Sequence, residues 1–291
     1  MNILLLGKTG QVGFELHRTL APLGAIIAPG RAELDLADEQ AVDAYLQSCQ
    51  PGLIVNAAAW TAVDLAEEQP AAAHRLNAGL PAQLAKYSAE QGAFLVHYSS
   101  DYVYPGNGIE PWQETSATGP LSVYGQTKLE GDQTIAQSGG KHLIFRTSWV
   151  YSARGNNFMK TMLRLAKGKT ELNIVADQIG APTPARLIAQ ITAMAIRSNI
   201  PSGVYHLAPT GETSWHGFAQ EIFRLAKEQG EHLTMGPENA NPIPTSDYPT
   251  PARRPLNSRM ALKKLEAALN IQLPDWRTQL ELTLSEYLEK N

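Results

Sequence analysis

Apolar residues in the first half of the chain fall into two alternating patterns. Short unbroken runs near residues 2–6, 25–28, 53–57, 93–98 and 143–148 have the length of strands buried on both faces. Between them, near 11–21, 38–48, 70–90 and 125–137, apolar positions recur three and four residues apart, which predicts helices. Strand, helix, strand repetition at this spacing predicts an α/β fold: a doubly wound parallel sheet of Rossmann type. Beyond Tyr151 the pattern loosens, with helices expected near 157–168, 185–197, 215–228, 258–269 and 275–289 and one more strand near 203–207. Residues 236–255 contain six prolines and read as an ordered but irregular loop. The later segments are expected to form a smaller α+β cap over the carboxyl ends of the strands, where open α/β sheets bind ligands.

Charge and cysteine content narrow the class. A net charge of -4 offers no long-range attraction to nucleic acid or to an anionic membrane, so an anionic ligand needs a local site. Cys49 is the sole cysteine, which excludes an internal disulfide or a cysteine-based metal centre and fits a reducing compartment. The first residues show neither a basic stretch nor an apolar run of signal-peptide length, so the expected location is cytoplasmic.

Gly7, Gly10 and Gly13, spaced GxxGxxG, stand between the first strand and the first helix with Gln11 and Val12 among them. Backbone amides at such a helix N-terminus can meet a pyrophosphate, which makes this a candidate dinucleotide turn. The second strand ends at Ala28-Pro29-Gly30-Arg31, where the sequence shows no ribose-binding carboxylate, so NADPH is favoured over NADH. Arg31 is then either a clamp for the 2'-phosphate or a solvated loop residue. Ala57, Ala58 and Ala59 end the third strand; their small side chains permit close cofactor approach, although a crowded parallel sheet selects alanine too.

Ser99-Ser100-Asp101 closes the fourth strand, and Tyr124-Gly125-Gln126-Thr127-Lys128 opens the next helix with tyrosine and lysine on one face. With 10 tyrosines in 291 residues such a pair alone proves little. Its position, downstream of a nucleotide turn and beside a strand-end hydroxyl, carries the argument. Reduction of a carbonyl by hydride needs a proton donor on the nascent alkoxide, and Tyr124 is the candidate. An ammonium roughly 5 Å away at an effective dielectric near 20 would favour the phenolate by about 3 kcal/mol, so Lys128 is expected to lower the phenol's pKa. Lys128 is further expected to hold the nicotinamide ribose, and Ser100 to hydrogen-bond the substrate oxygen.

Several motifs together resemble the dTDP-4-dehydrorhamnose reductase family of extended short-chain dehydrogenases over essentially the whole length. They are the glycine turn, the run from Val55 through Ala59-Trp60-Thr61-Ala62-Val63-Asp64, His97-Tyr98-Ser99-Ser100-Asp101-Tyr102-Val103-Tyr104, Arg146-Thr147-Ser148-Trp149-Val150-Tyr151, Asn156-Asn157-Phe158 and Pro249-Thr250-Pro251-Ala252-Arg253-Arg254-Pro255. The resemblance implies NADPH-dependent reduction of the C4 keto group of a dTDP-4-dehydro-6-deoxy-L-mannose to dTDP-L-rhamnose, for lipopolysaccharide O-antigen and other bacterial surface polysaccharides. It assigns catalysis to Tyr124, Lys128 and Ser100, and sugar contacts to Asp101, Val63 and Trp149. Cofactor contacts fall on Gln11, Val12, Asp35, Leu36, Ala59, Trp60, Thr61 and Tyr98. Residues 1–150 with 177–210 would form the NAD(P)-binding unit, and 151–176 with 211–291 the sugar-nucleotide unit.

Some roles stay open at this level. Trp149 either packs a deoxysugar face or is an ordinary core tryptophan. Arg253 or Arg254 would neutralise the substrate diphosphate. Asn157 either contacts that diphosphate or caps a helix. Dimeric relatives share Mg2+ between glutamates; Glu15 matches one, but Arg186 replaces another, so no structural Mg2+ is expected and Glu15 reads as an exposed helix residue. The expected partners are a dTDP-sugar, with no nucleic acid and no membrane, in a monomer or weak homodimer. Other readings are a reductase or epimerase of another nucleotide sugar and a non-catalytic NADP-binding regulatory subunit, which the intact Ser100, Tyr124 and Lys128 disfavour.

Overall fold

The computed structural model describes residues 2–289; positions 1, 290 and 291, the outermost residues of the two expected units, lie outside the described residues. Six strands form the central sheet: β1 Asn2–Leu6, β2 Ala25–Ile27, β3 Leu53–Asn56, β4 Phe94–Ser100, β5 His142–Thr147 and β6 Gly203–His206. They pair in parallel in the order β6-β5-β4-β3-β1-β2. The unbroken apolar runs are explained by two-sided burial. Ile3, Leu5, Val55, Val96 and Phe145 face one core with Leu16, Ile188 and Ile191. Their neighbours Leu4, Leu6, Ile54, Leu95 and Ile144 face the other, against Leu46, Leu84 and Ile135. The strand order reverses between β1 and β3, and there a doubly wound sheet opens a crevice at the carboxyl ends of its strands. The glycine turn after Leu6 and the residues after Asn56 lie at that point.

A third core joins Phe158–Ala166, Trp215–Glu228 and Trp276–Leu288 through Met159, Leu163, Phe218, Phe223, Trp276 and Leu280. These are the cap helices, and their wide apolar faces account for their packing on one another rather than on the sheet.

Three elements depart from the sequence pattern. The helix expected over 70–90 is Pro70–His74, a π-helical turn at Arg75–Gly79 and then Leu80–Gln91. Pro81 has no N–H to donate to the carbonyl of Asn77, one turn earlier. Gly131 of the helix Val123–Gln137 uses the freed space: a Cβ there would lie 2.2 Å from the Asn77 carbonyl oxygen. The helix expected from 258 begins only at Lys263, because residues 257–261 extend to bridge Ile179 and Trp112. The proline-rich stretch is partly regular, since Ala240–Ile243 pairs in parallel with Leu172–Val175. That pairing has only two strands, so Pro242 sits on an edge where a missing N–H is tolerated. No helix among the described residues is long and apolar enough to cross a membrane.

Candidate active site

The glycine turn is dictated by close backbone approach. Gly7 has φ +84°, and a Cβ on it would stand 2.7 Å from the backbone of Ala57 and Ala58. A Cβ on Gly13 would stand 2.0 Å from the Gly7 carbonyl oxygen. Gly10 differs: its φ is -74° and a Cβ would meet only that oxygen, at 3.4 Å. Nothing inside the fold requires glycine there, so the bare Cα leaves room at the helix end for a ligand phosphate. Helix Gln11–Thr19 has no side-chain cap and no acidic residue in its first turn, leaving its first amides for such a ligand. Val12 packs against the core. Gln11 turns to the loop after Tyr151, where its Oε1 accepts from Ser152 Oγ (3.0 Å) and Asn157 Nδ2 (2.8 Å).

At the second strand's end the structure corrects the sequence reading, for a carboxylate does occupy that corner. Glu33 accepts from the Gly30 N–H and lies 3.5 Å from Lys8 Nζ, which also donates to the Ala28 carbonyl at 2.6 Å. The Gly30 amide and the lysine hold the Glu33 carboxyl below the usual carboxylate range. Lys8 and Glu33 were both missed; a lysine inside the glycine turn was the available signal. Arg31 is exposed beside them. Asp35 accepts from the Ala37 amide at 3.0 Å, and Leu36 packs against the core beneath. Trp60 is clasped at both backbone atoms by the Asn77 amide, at 2.9 and 3.1 Å, which fixes the chain between Ala59 and the exposed Thr61.

Ser100, Tyr124 and Lys128 converge at the carboxyl end of β4. Ser122 caps the helix Val123–Gln137, accepting from the Gly125 amide and so fixing Tyr124 in its first turn. The Tyr124 phenol hydrogen-bonds the Ser100 hydroxyl, which in turn donates to Asp101 Oδ1 at 3.0 Å. Lys128, only 1% exposed, donates from Nζ to the Tyr98 carbonyl at 2.6 Å and lies 3.2 Å from His97 Nε2. Tyr98 thus contributes its carbonyl, while its ring stacks on Phe145 and its hydroxyl meets Thr192 in the core.

The electrostatics correct another expectation. Burial pushes the Tyr124 phenol up to about 12, with the Ser100 hydrogen bond opposing and Asp101 and Asp132 reinforcing the rise. Lys128 Nζ is turned into the sheet towards Tyr98 and His97, and burial governs the phenol instead. Burial in turn brings Lys128 down to about 8, against the attraction of Asp132. Asp101, 2% exposed, is pushed by burial up to about 6, partly offset by the hydroxyls of Ser258 and Ser100. A protonated Tyr124 remains a competent donor to an alkoxide, the stronger base.

A second wall meets this one from the cap. Trp149 is half-buried, not a core residue, and adopts φ 48°, a left-handed conformation that costs a bulky side chain energy. Its ring lies flat on Trp215, with centroids 3.8 Å apart and planes 16° apart. Trp215 carries no sequence signal at position 215 and was missed. Arg254 is the inward arginine: its Nη2 lies 2.7 Å from Asp64 Oδ2 and its guanidinium hydrogen-bonds Tyr102, whose ring stands edge-on to Tyr124 at 5.5 Å. Arg253 is exposed. Val63 begins the short helix that carries Asp64. Asn157 caps the helix Phe158–Ala166, its Oδ1 accepting from the Lys160 amide at 3.1 Å.

Glu15 departs from its expected exposure: it is 5% exposed and 3.3 Å from Arg186, which also reaches Glu286 at 2.7 Å. A guanidinium shared by two carboxylates occupies this face of the first helix.

The chain matches the family model described as RmlD substrate binding domain over residues 1–289. It is 50% identical over 294 residues to the dTDP-4-dehydrorhamnose reductase of Shigella flexneri, covering 98% of each chain. A crystal structure of a dTDP-4-dehydrorhamnose reductase from Clostridium acetobutylicum superposes with a TM-score of 0.92 at 35% identity, covering 99% of this chain and 100% of that one. The enzyme of the same name from Bacillus anthracis, in complex with NADP, gives a TM-score of 0.90 at 34% identity, covering 98% and 99%.

Proposed function

From the premise that this chain belongs to the dTDP-4-dehydrorhamnose reductase family of oxidoreductases, we propose that it uses NADPH to reduce the C4 keto group of dTDP-4-dehydro-6-deoxy-L-mannose, giving dTDP-L-rhamnose for O-antigen and related surface polysaccharides in the cytoplasm. The observation that carries this reading is the convergence of Tyr124 and Ser100 at the strand end beside the glycine turn. NADPH, when bound, supplies the hydride. Ser100 and Tyr124 direct hydroxyls at the ketone oxygen, and Tyr124 gives it the proton. Lys128 would hold the nicotinamide ribose through its ammonium.

Gly7, Gly10, Gln11, Val12 and Gly13 would hold the cofactor's diphosphate, with Asp35 and Leu36 towards the adenine and residues 57–61 and 98 towards the nicotinamide. Lys8 and Arg31 give a 2'-phosphate two cations, while Glu33 offers a ribose hydroxyl an acceptor. NADPH is therefore preferred and NADH accepted. Val63, Asp101 and Trp149 line the sugar, and Arg254 takes the diphosphate. Asn157 serves this wall through its cap and its bond to Gln11. Residues 1–150 with 177–210 form the nucleotide unit and 151–176 with 211–291 the sugar-nucleotide unit. The Glu15–Arg186–Glu286 cluster opposes a Mg2+-bridged dimer and favours a monomer or weak homodimer.

Purified protein given dTDP-4-dehydro-6-deoxy-D-glucose, a 3,5-epimerase and NADPH tests the reading. Epimerase-dependent oxidation of the cofactor with dTDP-L-rhamnose as product is expected, with slower turnover on NADH. No turnover on this substrate, with activity on a GDP- or UDP-linked keto sugar instead, would overturn it.

A further inference from the structure

The hydrogen-bond directions behind Lys128 form a closed argument. The Ala58 N–H donates to Asn56 Oδ1 at 3.2 Å, which fixes the orientation of that amide. Asn56 Nδ2 then faces His97 Nδ1 at 3.1 Å, and since an amide nitrogen only donates, Nδ1 is the acceptor. A neutral His97 therefore carries its proton on Nε2, which lies 3.2 Å from Lys128 Nζ. Asn56, His97 and Lys128 are each 1% exposed, so no bulk water arbitrates among them. A neutral amine completes the chain: its lone pair accepts from Nε2–H while it donates to the Tyr98 carbonyl.

An ammonium has no lone pair to offer. Protonating Lys128 either forfeits the His97 bond or forces the ring into its other tautomer. That tautomer sets Nδ1–H against the Asn56 amide; the amide must turn, and Ala58 N–H then loses its acceptor. The charge on Lys128 is thereby tied to the backbone just beyond β3, at the edge where Gly7 approaches Ala57 and Ala58.

We propose that Asn56 and His97 are positioning residues whose hydrogen-bond directions favour a neutral amine at Lys128 and couple its charge to the backbone at Ala58. The ammonium role on which this rests is that of the proposed reductase reaction. The other charged group facing Lys128 is Asp132 on its own helix, which is paired in turn with Arg146 of β5, whose Nε lies 3.0 Å from it. His97 is the facing group from β4, and burial next to Lys128 keeps it neutral.

Wild-type protein labelled with 15N-histidine tests the tautomer directly by long-range proton–nitrogen NMR, with no variant and no turnover required. A His97 ring protonated at Nε2 alone is expected; a proton on Nδ1 would overturn the proposal even if the reductase reading stands. The second measurement is the pH dependence of NADP+ affinity and of kcat/KM. His97→Gln presents a carbonyl to the ammonium, and the alkaline limb is expected to move up by on the order of one pH unit. Asn56→Asp accepts from both Ala58 N–H and Nδ1–H, so the NMR signature should switch to the Nδ1–H tautomer with the same upward movement. A folded His97→Gln enzyme whose limb stays in place would sink the idea.

Discussion

The nucleotide-facing wall and the cap-facing wall meet around Tyr124 but are made of different materials. The first is backbone and small residues brought into contact: Gly7 against Ala57, Gly13 against Gly7, and Lys128 Nζ against the Tyr98 carbonyl. The second is large side chains reaching across long sequence separations, such as Trp149 on Trp215 and Arg254 on Asp64. A wall of backbone tolerates little change because its contacts have no rotamers to adjust. A wall of side chains can be altered one group at a time, with graded loss.

The largest separation of the two walls is expected from Tyr124→Phe, which keeps the ring and removes the proton. Turnover should fall roughly 10²–10⁴-fold, while NADP+ affinity measured by calorimetry stays at the wild-type value. A parallel loss of affinity would mean the phenol is part of the nucleotide wall and the division is wrong.

Next in size is a stability effect at the seam. The folded-state pKa of Asp101, about 6, lies above its ordinary value of 3.8, so this group's stabilising contribution is present below 3.8 and is lost as pH rises through 6. Asp101→Asn should therefore raise the unfolding free energy by roughly 2–3 kcal/mol above pH 6, with the gain vanishing as pH falls towards 4. Denaturant melts at several pH values check it. A gain independent of pH would show that charge is not the cause.

On the cap wall, Arg254→Met should raise the KM for the sugar nucleotide by roughly 10–100-fold and leave kcat nearly unchanged, whereas Arg253→Met should do neither. Equal effects from the two would dissolve the distinction between the inward and the exposed arginine. The smallest effect is at the Glu15–Arg186 face: adding EDTA or Mg2+ is expected to change neither turnover nor sedimentation. A chelator-sensitive dimer would put a metal where the guanidinium stands.

The same contrast explains what could be read from sequence. The six strands were legible because a parallel sheet writes itself as uninterrupted apolar runs, and the glycine turn because backbone approach leaves only one residue type possible. Ser100, Tyr124 and Lys128 were legible because a strand end and the next helix fix their relation. Trp215, by contrast, meets Trp149 only through the packing of the cap, and no local period marks it. Glu33 was passed over because a carboxylate was sought at the strand end itself, and the loop brings this one back to Gly30. The exposed reading of Glu15 failed for a similar reason: its partner Arg186 is 171 residues away. His97 sits one residue from a motif already recognised, yet its importance lies in hydrogen-bond direction, which composition does not encode.

The π-helical turn at Arg75–Gly79 bears on insertions and deletions. Each residue advances an α-helix by about 100°, so the wider turn shifts the angular phase between the residues before it and Leu80–Gln91 after it. Both sides are anchored: Leu80 and Leu84 lie in the sheet core, and the Asn77 amide clasps the backbone of Trp60. Excising one residue here would give a more regular helix with the wrong face towards one of these anchors. The number of residues between Trp60 and Leu84 is thus as constrained as their identity.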